Sequence, residues 1–483
     1  MRALLIALLV VLAGCAAPAV DDPGGQPSVE ESPVADGDRP AEIDDVGPDT
    51  DGEDRPTDGD RDADDGDGAD DRSAELEVRG GELPFDEERT FERVQTMLGV
   101  EMRPPTVYVE EPLSPAAPRT EPDGFHATMN LTPPEGGDGL TAGGVASPAN
   151  AVYVLPGENA TPEEIERVFV HELVHAAQFQ QGVHRDVVAA IPPDHRDTTD
   201  ADLVRTAVME AGAVYGSTAY THRYDADVVP ENESIDALYE EATPWTRLTA
   251  GPYYYGYRYA DALADSPADH WSIYEDPPTT MATVLAVERG SERELEPFEA
   301  RLAADDRDWS LVETDTMGQY VTEQVLATEL SADRSRTAAD GWEYDRAVRI
   351  ADPGAQRDAH VWTIRFADAA NASAFETAAT AYLDRRAEGD GEPRVADGLT
   401  LDLETVDDRT VAILAGPESV VAPATVEATD GSAVRVTPAD DPAVSVSDGS
   451  LVVTPDGPIV GPSADPRAGS DGSATGTVSA GTP

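Results

Sequence analysis

A regular spacing of apolar residues predicts a long amphipathic helix that begins at Thr161 and ends near Gly182. Thr161 has the character of an N-cap, Pro162 suits the first helical position, and Glu164 completes a capping box. Directly before the helix, residues 151–155 (AVYVL) read as a strand. The apolar positions of the helix recur every three or four residues: Ile165, Val168, Phe169, Leu173, Ala176 and Ala177.

Apolar patterns on either side of this helix predict the rest of an N-terminal α+β unit. Residues 85–98 have helical spacing and residues 106–109 have strand character, so a small sheet should lie behind the long helix. A second helix is expected to begin near Asp200. One of its faces carries an acid among apolar residues, and this acid needs a partner there. The face consists of Leu203, Ala207, Glu210 and Val214.

The pattern changes after Trp342 and predicts a small, compact α+β module. No ligand cluster, phosphate-binding loop or basic patch is visible in it, so we expect it to pack against the first unit or to bind a partner. Two further short pieces, 433–436 and 450–453, have the composition of isolated strands. The predicted strands of the module are 347–350, 360–366, 399–403 and 409–414, and its predicted helix is 369–385.

The first residues have the pattern of a secretory leader rather than of a membrane span. Arg2 is followed by an unbroken apolar run over residues 3–13, shorter than the about 20 apolar residues that a spanning helix needs. The run LAGC, which ends at Cys15, resembles a lipoprotein cleavage box, and Cys15 is the only cysteine of the chain. We therefore expect residues 1–15 to be a lipoprotein signal with Cys15 lipidated. Such an anchor would hold the protein on the extracellular face of the cell membrane.

Composition separates the two ends of the chain from its globular body. Residues 16–72 are largely Asp, Gly, Pro and Arg, which cannot bury enough apolar surface to fold and predict a disordered acidic tether. Residues 427–483 predict a low-complexity tail. Over 483 residues, 96 acids face 33 basic residues, all of them Arg. The net charge of −63 repels nucleic acid and anionic headgroups, so we expect no nucleic-acid partner and no membrane contact beyond the lipid anchor. This Lys-free, acidic composition resembles that of extremely halophilic archaea.

The long helix carries the residues of a catalytic metal site in the string HELVH. His171 and His175 are four residues apart and project from one helical face, close enough for both imidazoles to bind one Zn²⁺ ion. Glu172 follows the first histidine and is placed to take the proton of a zinc-bound water as it attacks a carbonyl carbon. The string therefore predicts a hydrolytic zinc site with Glu172 as the general base.

Catalytic zinc needs a third protein ligand, which leaves one position for water. A metzincin would have Gly at position 178 and His at position 181, whereas both are Gln here. Glu210, the acid on the second helix, is the favoured third ligand, and the small residues that follow it allow two helices to approach closely. The acid-rich sequence leaves other ligands open: Asp202, Glu240, Glu241, His184 and His195.

The HELVH run with Glu210 resembles the pattern of the gluzincin metallopeptidases, in which HExxH is followed after a few tens of residues by a Glu in a helix. The resemblance implies a Zn²⁺ cofactor held by His171, His175 and Glu210, with Glu172 as the general base. The runs HELVHAAQFQ, PYYYG and PPTT also resemble a group of actinobacterial and haloarchaeal surface proteins, over about residues 85–290. That group usually reads EGDA in its second helix, which puts an Asp at the position of Gly212, where it would orient a metal ligand.

The resemblance implies a zincin-like fold for residues 73–330, followed by the α+β module at residues 331–426. It also implies a cell-surface metallopeptidase that hydrolyses a peptide or protein substrate. The alternative is a catalytically inactive zincin-like protein that serves as a binding or envelope module. In zincins an edge strand binds extended substrate, but residues 126–147 show no clean alternation that identifies it. The tyrosines at positions 253–259 read as an aromatic helix face packed on the core, and we assign no oxyanion donor.

Overall fold

The computed structural model describes residues 75–109, 124–135, 143–157, 159–225, 227–289, 297–302, 309–352, 354, 357–389, 394–429, 433–438, 445–447 and 450–452. The predicted leader and tether lie outside the described residues, as does the tail beyond residue 452. Within the described part the protein is mixed α+β, which confirms the predicted class of fold.

Short strands and helices alternate in the first half of the described chain, and strands dominate the second half. The strands are β1 (Glu77–Arg79), β2 (Thr106–Val109), β3 (Gly144–Ser147), β4 (Ala151–Val154), β5 (Glu299–Leu302), β6 (Ser310–Asp315), β7 (Trp342–Asp352), β8 (Arg357–Phe366), β9 (Arg394–Ala396), β10 (Leu399–Thr405), β11 (Thr410–Gly416), β12 (Thr425–Ala428), β13 (Ala433–Thr437), β14 (Ser445–Ser447) and β15 (Ser450–Val452). The helices are α1 (Glu87–Leu98), α2 (Gly124–Thr128), α3 (Pro162–Gln181), α4 (Val183–Ala190), α5 (Thr199–Tyr224), α6 (Glu231–Glu241), α7 (Pro244–Leu263), α8 (Met281–Arg289), α9 (Gly318–Ala327), α10 (Ala332–Ala339), α11 (Ala369–Arg386) and α12 (Glu418–Val421), and a 3₁₀ turn spans His270–Tyr274. Within the described residues, no helix has both the length and the apolar character that crossing a membrane requires.

Four short strands form a sheet against which the long helix α3 packs. Their order is β1-β2-β4-β3, in which β1, β2 and β4 run parallel and β3 pairs antiparallel with β4 at the edge. Val107 and Val152 of the sheet share a buried core with Phe169 and Leu173 of α3, because one face of the sheet meets the apolar stripe of the helix. The predicted helix at 85–98 and the predicted strands at 106–109 and 151–155 are confirmed as α1, β2 and β4.

Helix α3 begins and ends where its sequence predicts. The Glu164 N–H donates to the Thr161 hydroxyl and the Thr161 N–H donates to the Glu164 carboxylate, which forms a complete capping box. Pro162 lies in the first turn, where its missing N–H has no intrahelical partner to lose. The helix stops at Gly182, whose φ of 79° lies in the left-handed region that glycine adopts without steric cost. These local signals define both ends of the helix that carries the HELVH run.

Helix α5 packs against both α3 and α7. Its predicted start near Asp200 is confirmed. The contact with α7 is tight at Gly256, where a Cβ would overlap the carbonyl oxygen of Ala207. Helix α7 is aromatic, as predicted, and buries three tyrosines of the cluster in the core: Tyr253, Tyr255 and Tyr259.

A six-stranded antiparallel sheet dominates the second half, in the order β6-β7-β8-β11-β10-β9. The predicted strands at 347–350, 360–366, 399–403 and 409–414 are confirmed within β7, β8, β10 and β11, and the predicted helix is confirmed as α11. The edge strand β6 was not predicted and precedes residue 331, where we placed the start of the module. Phe125 and Trp245 from the first half share one core with Trp362 and Phe375. The division into two domains stays a prediction.

The last described strands form two small sheets. β12, β13 and β5 lie in the order β12-β13-β5, with β13 parallel to β5, and β14 pairs with β15 as a hairpin. The strands predicted at 433–436 and 450–453 are confirmed as β13 and β15, but neither is isolated, because each pairs with a neighbouring strand. The pairing of β13 with β5 joins the C-terminal residues to a strand that lies before the six-stranded sheet in the chain.

Candidate metal centre

Helix α3 brings His171 and His175 together on one buried face. Their Nε2 atoms lie 3.1 Å apart and both residues are fully buried. One helical turn separates them, so the two rings lie one above the other and converge on a common point. This is the placement that the HELVH run predicts.

Glu210 of α5 completes the cluster. One of its carboxylate oxygens, Oε2, lies 3.2 Å from His171 Nε2 and 3.3 Å from His175 Nε2, and the residue is fully buried. Among the described residues, these three side chains form the one group of His, Cys, Asp and Glu with the proximity that a shared metal ion requires. The structure therefore brings together the three residues that the sequence analysis favours as zinc ligands.

The other candidate ligands lie elsewhere in the structure. Asp202 is half exposed and forms an ion pair with Arg205 of its own helix. His195 is buried, but its Nε2 lies 3.2 Å from the Asp200 carboxylate. The remaining candidates are at least partly exposed: His184, Glu240 and Glu241.

The three facing atoms have the spacing and chemistry of zinc ligands. At zinc–ligand distances of about 2.0–2.1 Å, the corners of a tetrahedron lie about 3.3–3.4 Å apart. The separations between the two Nε2 atoms and the Glu210 oxygen are 3.1, 3.2 and 3.3 Å, close to that value. Two imidazoles and one carboxylate also match the nitrogen and oxygen donors of catalytic zinc sites. The residues present therefore fit Zn²⁺.

The outer nitrogen of each imidazole has its own partner, which leaves the inner nitrogens facing one another. His171 Nδ1 lies 3.1 Å from both carboxylate oxygens of Glu231, and His175 Nδ1 lies 2.7 Å from the Gln178 Oε1 atom. The Gln178 amide is oriented because its Nε2 donates to the Met209 carbonyl. Since both outer partners are acceptors, each Nδ1 donates, and the neutral ring keeps its lone pair on Nε2. Two lone pairs and a carboxylate oxygen then converge, and a cation between them stabilises this arrangement.

The electrostatics of the cluster also favour a cation. Burial lowers the pKa of His171, but the carboxylates of Glu231 and Glu210 outweigh burial and hold this pKa well above its usual value. Burial raises the pKa of Glu210, yet His175 and His171 more than offset burial, and the pKa of Glu210 is lowered. Without a metal, protons on the imidazoles supply the positive charge. A metal ion bound by these atoms displaces those protons.

Glu172 is buried beside the cluster. Neither of its carboxylate oxygens has a hydrogen-bond partner among the described residues, and the residue is 0% exposed. Burial raises the pKa of Glu172 to about 7, against the opposing charges of His171 and His175. A carboxyl group with such a pKa takes up and releases a proton near neutral pH, which suits a general base.

The edge strand β3 lies against Glu172, and no sequence pattern predicted this contact. A Cβ on Gly144 would lie 2.7 Å from the Glu172 Cγ and 2.8 Å from its Oε1, closer than nonbonded atoms pack. Glycine therefore leaves the space that the Glu172 side chain occupies. The alternation of β3 was hidden because its buried positions are Gly144 and Ala146, which are too small to signal a buried face.

Gly212, which follows Glu210 on α5, leaves space for side chains from two other elements, Tyr274 and Gln178. A Cβ on Gly212 would overlap the Tyr274 hydroxyl and lie 3.0 Å from the Gln178 Nε2 atom. That amide nitrogen donates to the Tyr274 hydroxyl over 2.7 Å, so Gly212 makes room for the group that helps to orient Gln178. Gln178 is detectable in the sequence, one turn after His175 on the same face. Tyr274 is not, because the sequence does not show which element approaches α5.

Comparison with known proteins identifies one domain, of unknown function. The profile of DUF8575, a domain of unknown function, matches residues 307–428. This range includes the six-stranded sheet and α11 and does not include the residues of the metal cluster. No curated protein and no solved structure matches the chain.

Proposed function

We propose that the protein is a zinc-dependent metallopeptidase of the gluzincin type, with a zincin-like fold in its first half. The observation that carries this proposal is the convergence of His171, His175 and Glu210 beside Glu172, whose carboxylate has no hydrogen-bond partner among the described residues. The position of α3 against a small sheet with an antiparallel edge strand supports the zincin-like fold.

The residues of the proposed site divide into metal ligands and a proton acceptor. His171, His175 and Glu210 hold Zn²⁺ and leave one position for water. When bound, zinc lowers the pKa of its water to about 7 and polarises the carbonyl of the scissile peptide bond. Glu172 accepts the proton of the attacking water and passes it to the leaving amine nitrogen. Burial raises the pKa of Glu172 above its usual value, which makes the group a better proton acceptor than an exposed carboxylate.

The edge strand favours a peptide as the substrate. β3 has one neighbour, β4, among the described strands, and we propose that an extended peptide pairs with its other edge. Main-chain hydrogen bonds along this edge recognise a peptide backbone whatever its side chains. A peptide bound there passes Gly144, which lies against Glu172. We therefore propose a peptide or protein substrate.

We place the enzyme outside the cell, held to the membrane by a lipid on Cys15. The acidic tether over residues 16–72 would separate the globular body from the bilayer. The net charge of −63 argues against direct contact with anionic lipids and against a nucleic-acid partner. This part of the proposal rests on sequence, since the leader and the tether lie outside the described residues.

A non-catalytic metal site in a binding or envelope module is the second candidate. Burial of the cluster favours this candidate. The four residues of the site are all 0% exposed: His171, Glu172, His175 and Glu210. Catalytic zinc requires an open position that a substrate can reach. The two candidates differ in their need for Glu172, since only hydrolysis requires a proton acceptor.

Metal content and hydrolysis, measured together, test the proposal. We expect about one zinc per full-length chain purified in molar salt, and none in His171→Ala. Glu172→Gln should keep the zinc and lose at least about 100-fold in hydrolysis of a quenched fluorescent peptide library. Equal hydrolysis by Glu172→Gln and the parent refutes the catalytic role. A parent that binds no zinc after reloading refutes the metal site.

A further inference from the structure

We propose that Glu231, the first residue of α6, is the positioning residue that orients His171 for metal binding. The inference rests on the proposed metal site and names a residue that the HELVH run and the second helix do not contain.

Glu231 reaches His171 at the nitrogen that faces away from the cluster. Both of its carboxylate oxygens lie 3.1 Å from His171 Nδ1, and both side chains are buried, at 5% and 0% exposure. The Nδ1–H donates to this carboxylate, so the Nε2 lone pair points at His175 and Glu210. A carboxylate behind the ring also strengthens the ring as a ligand, because it stabilises positive charge on the imidazole.

Helix α5 holds Glu231 in place through Ser217. The Ser217 hydroxyl donates a short hydrogen bond to the Glu231 Oε2 atom. Ser217 lies seven residues, or two helical turns, after Glu210 and therefore on the same face of α5. One face of α5 thus carries both Glu210, a proposed metal ligand, and Ser217, whose hydroxyl holds the Glu231 carboxylate against His171.

Helix α3 holds the start of α6 through Arg167. This buried residue lies one turn before His171, and its Nη1 donates to the Val229 carbonyl over 2.6 Å and to the Ser234 hydroxyl over 3.3 Å. These two acceptors flank Glu231 in the sequence. The positive charge of Arg167 and the positive end of the α6 helix dipole both stabilise a buried carboxylate at position 231.

His175 differs from His171, because its outer partner is the neutral amide of Gln178. The neutral amide behind His175 shows that orientation alone does not require a charge, and a carboxylate behind His171 additionally strengthens that ring as a ligand. The asymmetry therefore assigns Glu231 to the metal centre rather than to packing alone.

Zinc affinity of the full-length chain, measured by competition with a chromophoric chelator, tests this role. We expect Glu231→Ala to weaken zinc binding about 10–100-fold. Glu231→Gln keeps an acceptor for Nδ1 and should recover part of the affinity. Glu233→Ala is the matched control, since Glu233 is an exposed acid in the same first turn of α6, and its affinity should equal that of the parent. The visible absorption of bound Co²⁺ should change in Glu231→Ala and not in the control.

Thermal unfolding of the metal-free variants separates positioning from folding. Parental zinc affinity in folded Glu231→Ala overturns the proposal, and if that variant does not fold, parental affinity in Glu231→Gln overturns it. A zinc-free parent, or a His171→Ala variant with parental zinc affinity, instead refutes the metal site on which the proposal rests.

Discussion

Replacement of Gly144 by Ala tests the fit between the edge strand and the proposed general base. The new Cβ would lie 2.7 Å from the Glu172 Cγ, whereas nonbonded carbon atoms prefer about 3.5–4.0 Å. Rotation at the end of the Glu172 side chain does not relieve this contact, because χ1 fixes the position of Cγ and a helix restricts χ1. Either β3 moves away from α3 or Glu172 adopts another χ1 rotamer.

The expected magnitude combines a steric cost with a smaller conformational gain. Overpacking of a well-packed site costs about 1–3 kcal/mol. Gly144 does not have a positive φ, so the Ala backbone is allowed and Gly→Ala by itself stabilises by about 0.4–1 kcal/mol. We therefore expect Gly144→Ala to lower the free energy of unfolding by about 1–2 kcal/mol. In a Glu172→Ala background the clashing atoms are absent, and the same change should be neutral or stabilising.

A double-mutant cycle measures this coupling without reference to catalysis. The parent, Gly144→Ala, Glu172→Ala and the double variant are unfolded by denaturant in molar salt after removal of metal with a chelator. The coupling between the two changes should be about 1–3 kcal/mol. Val145→Ala is the control, because its side chain projects from the other face of β3 and its effect should be the same in both backgrounds. Equal destabilisation by Gly144→Ala in both backgrounds would refute the steric argument.

Three further predictions concern stability and use the same unfolding assay. Glu172→Leu should raise the free energy of unfolding of the metal-free protein by about 1–3 kcal/mol, because both Glu172 oxygens are buried without a partner among the described residues; a decrease contradicts this. Burial raises the pKa of Asp345 to about 6, so its contribution to stability is complete below the unfolded pKa and is lost as pH rises through about 6. The penalty of Asp345→Asn should accordingly shrink by up to about 3 kcal/mol between pH 4 and 7; a penalty that grows with pH would mean that the N–H donors around Asp345 keep it ionised. Gly256→Ala should cost about 1–3 kcal/mol, because its Cβ overlaps the Ala207 carbonyl; an unchanged unfolding midpoint excludes the overlap.

The helix of the metal site was predictable because its signals are local. The cap at Thr161, the capping box with Glu164 and the stop at Gly182 all involve residues within a few positions of the helix ends. The spacing of the two histidines then determines their shared face. Glu210 was predictable for a related reason: an acid on an apolar face must have a partner, and two nearby imidazoles supply one.

The remaining parts of the site depend on contacts that no local pattern reveals. Gly144 matters because of Glu172, which lies 28 residues later in the chain, and a glycine gives no apolar signal of a buried strand. Glu231 is one of 96 acids, and only the approach of α6 to α3 and α5 distinguishes it from the others. The edge strand β6 is mostly exposed and so lacks the alternation that identifies a strand in a sequence.

Metal selectivity in so acidic a protein must come from the two imidazoles and from burial. Sites built of carboxylates alone favour hard cations such as Ca²⁺ and Mg²⁺, whereas imidazole nitrogens favour zinc. In molar salt the Debye length is about 3 Å, so exposed acids exert little pull on a distant cation. The buried cluster is not screened in this way, and the outer partners of His171 and His175 keep both Nε2 lone pairs directed inward. The abundant surface acids can therefore coexist with the proposed zinc site, because nitrogen ligands and burial separate that site from exposed carboxylates.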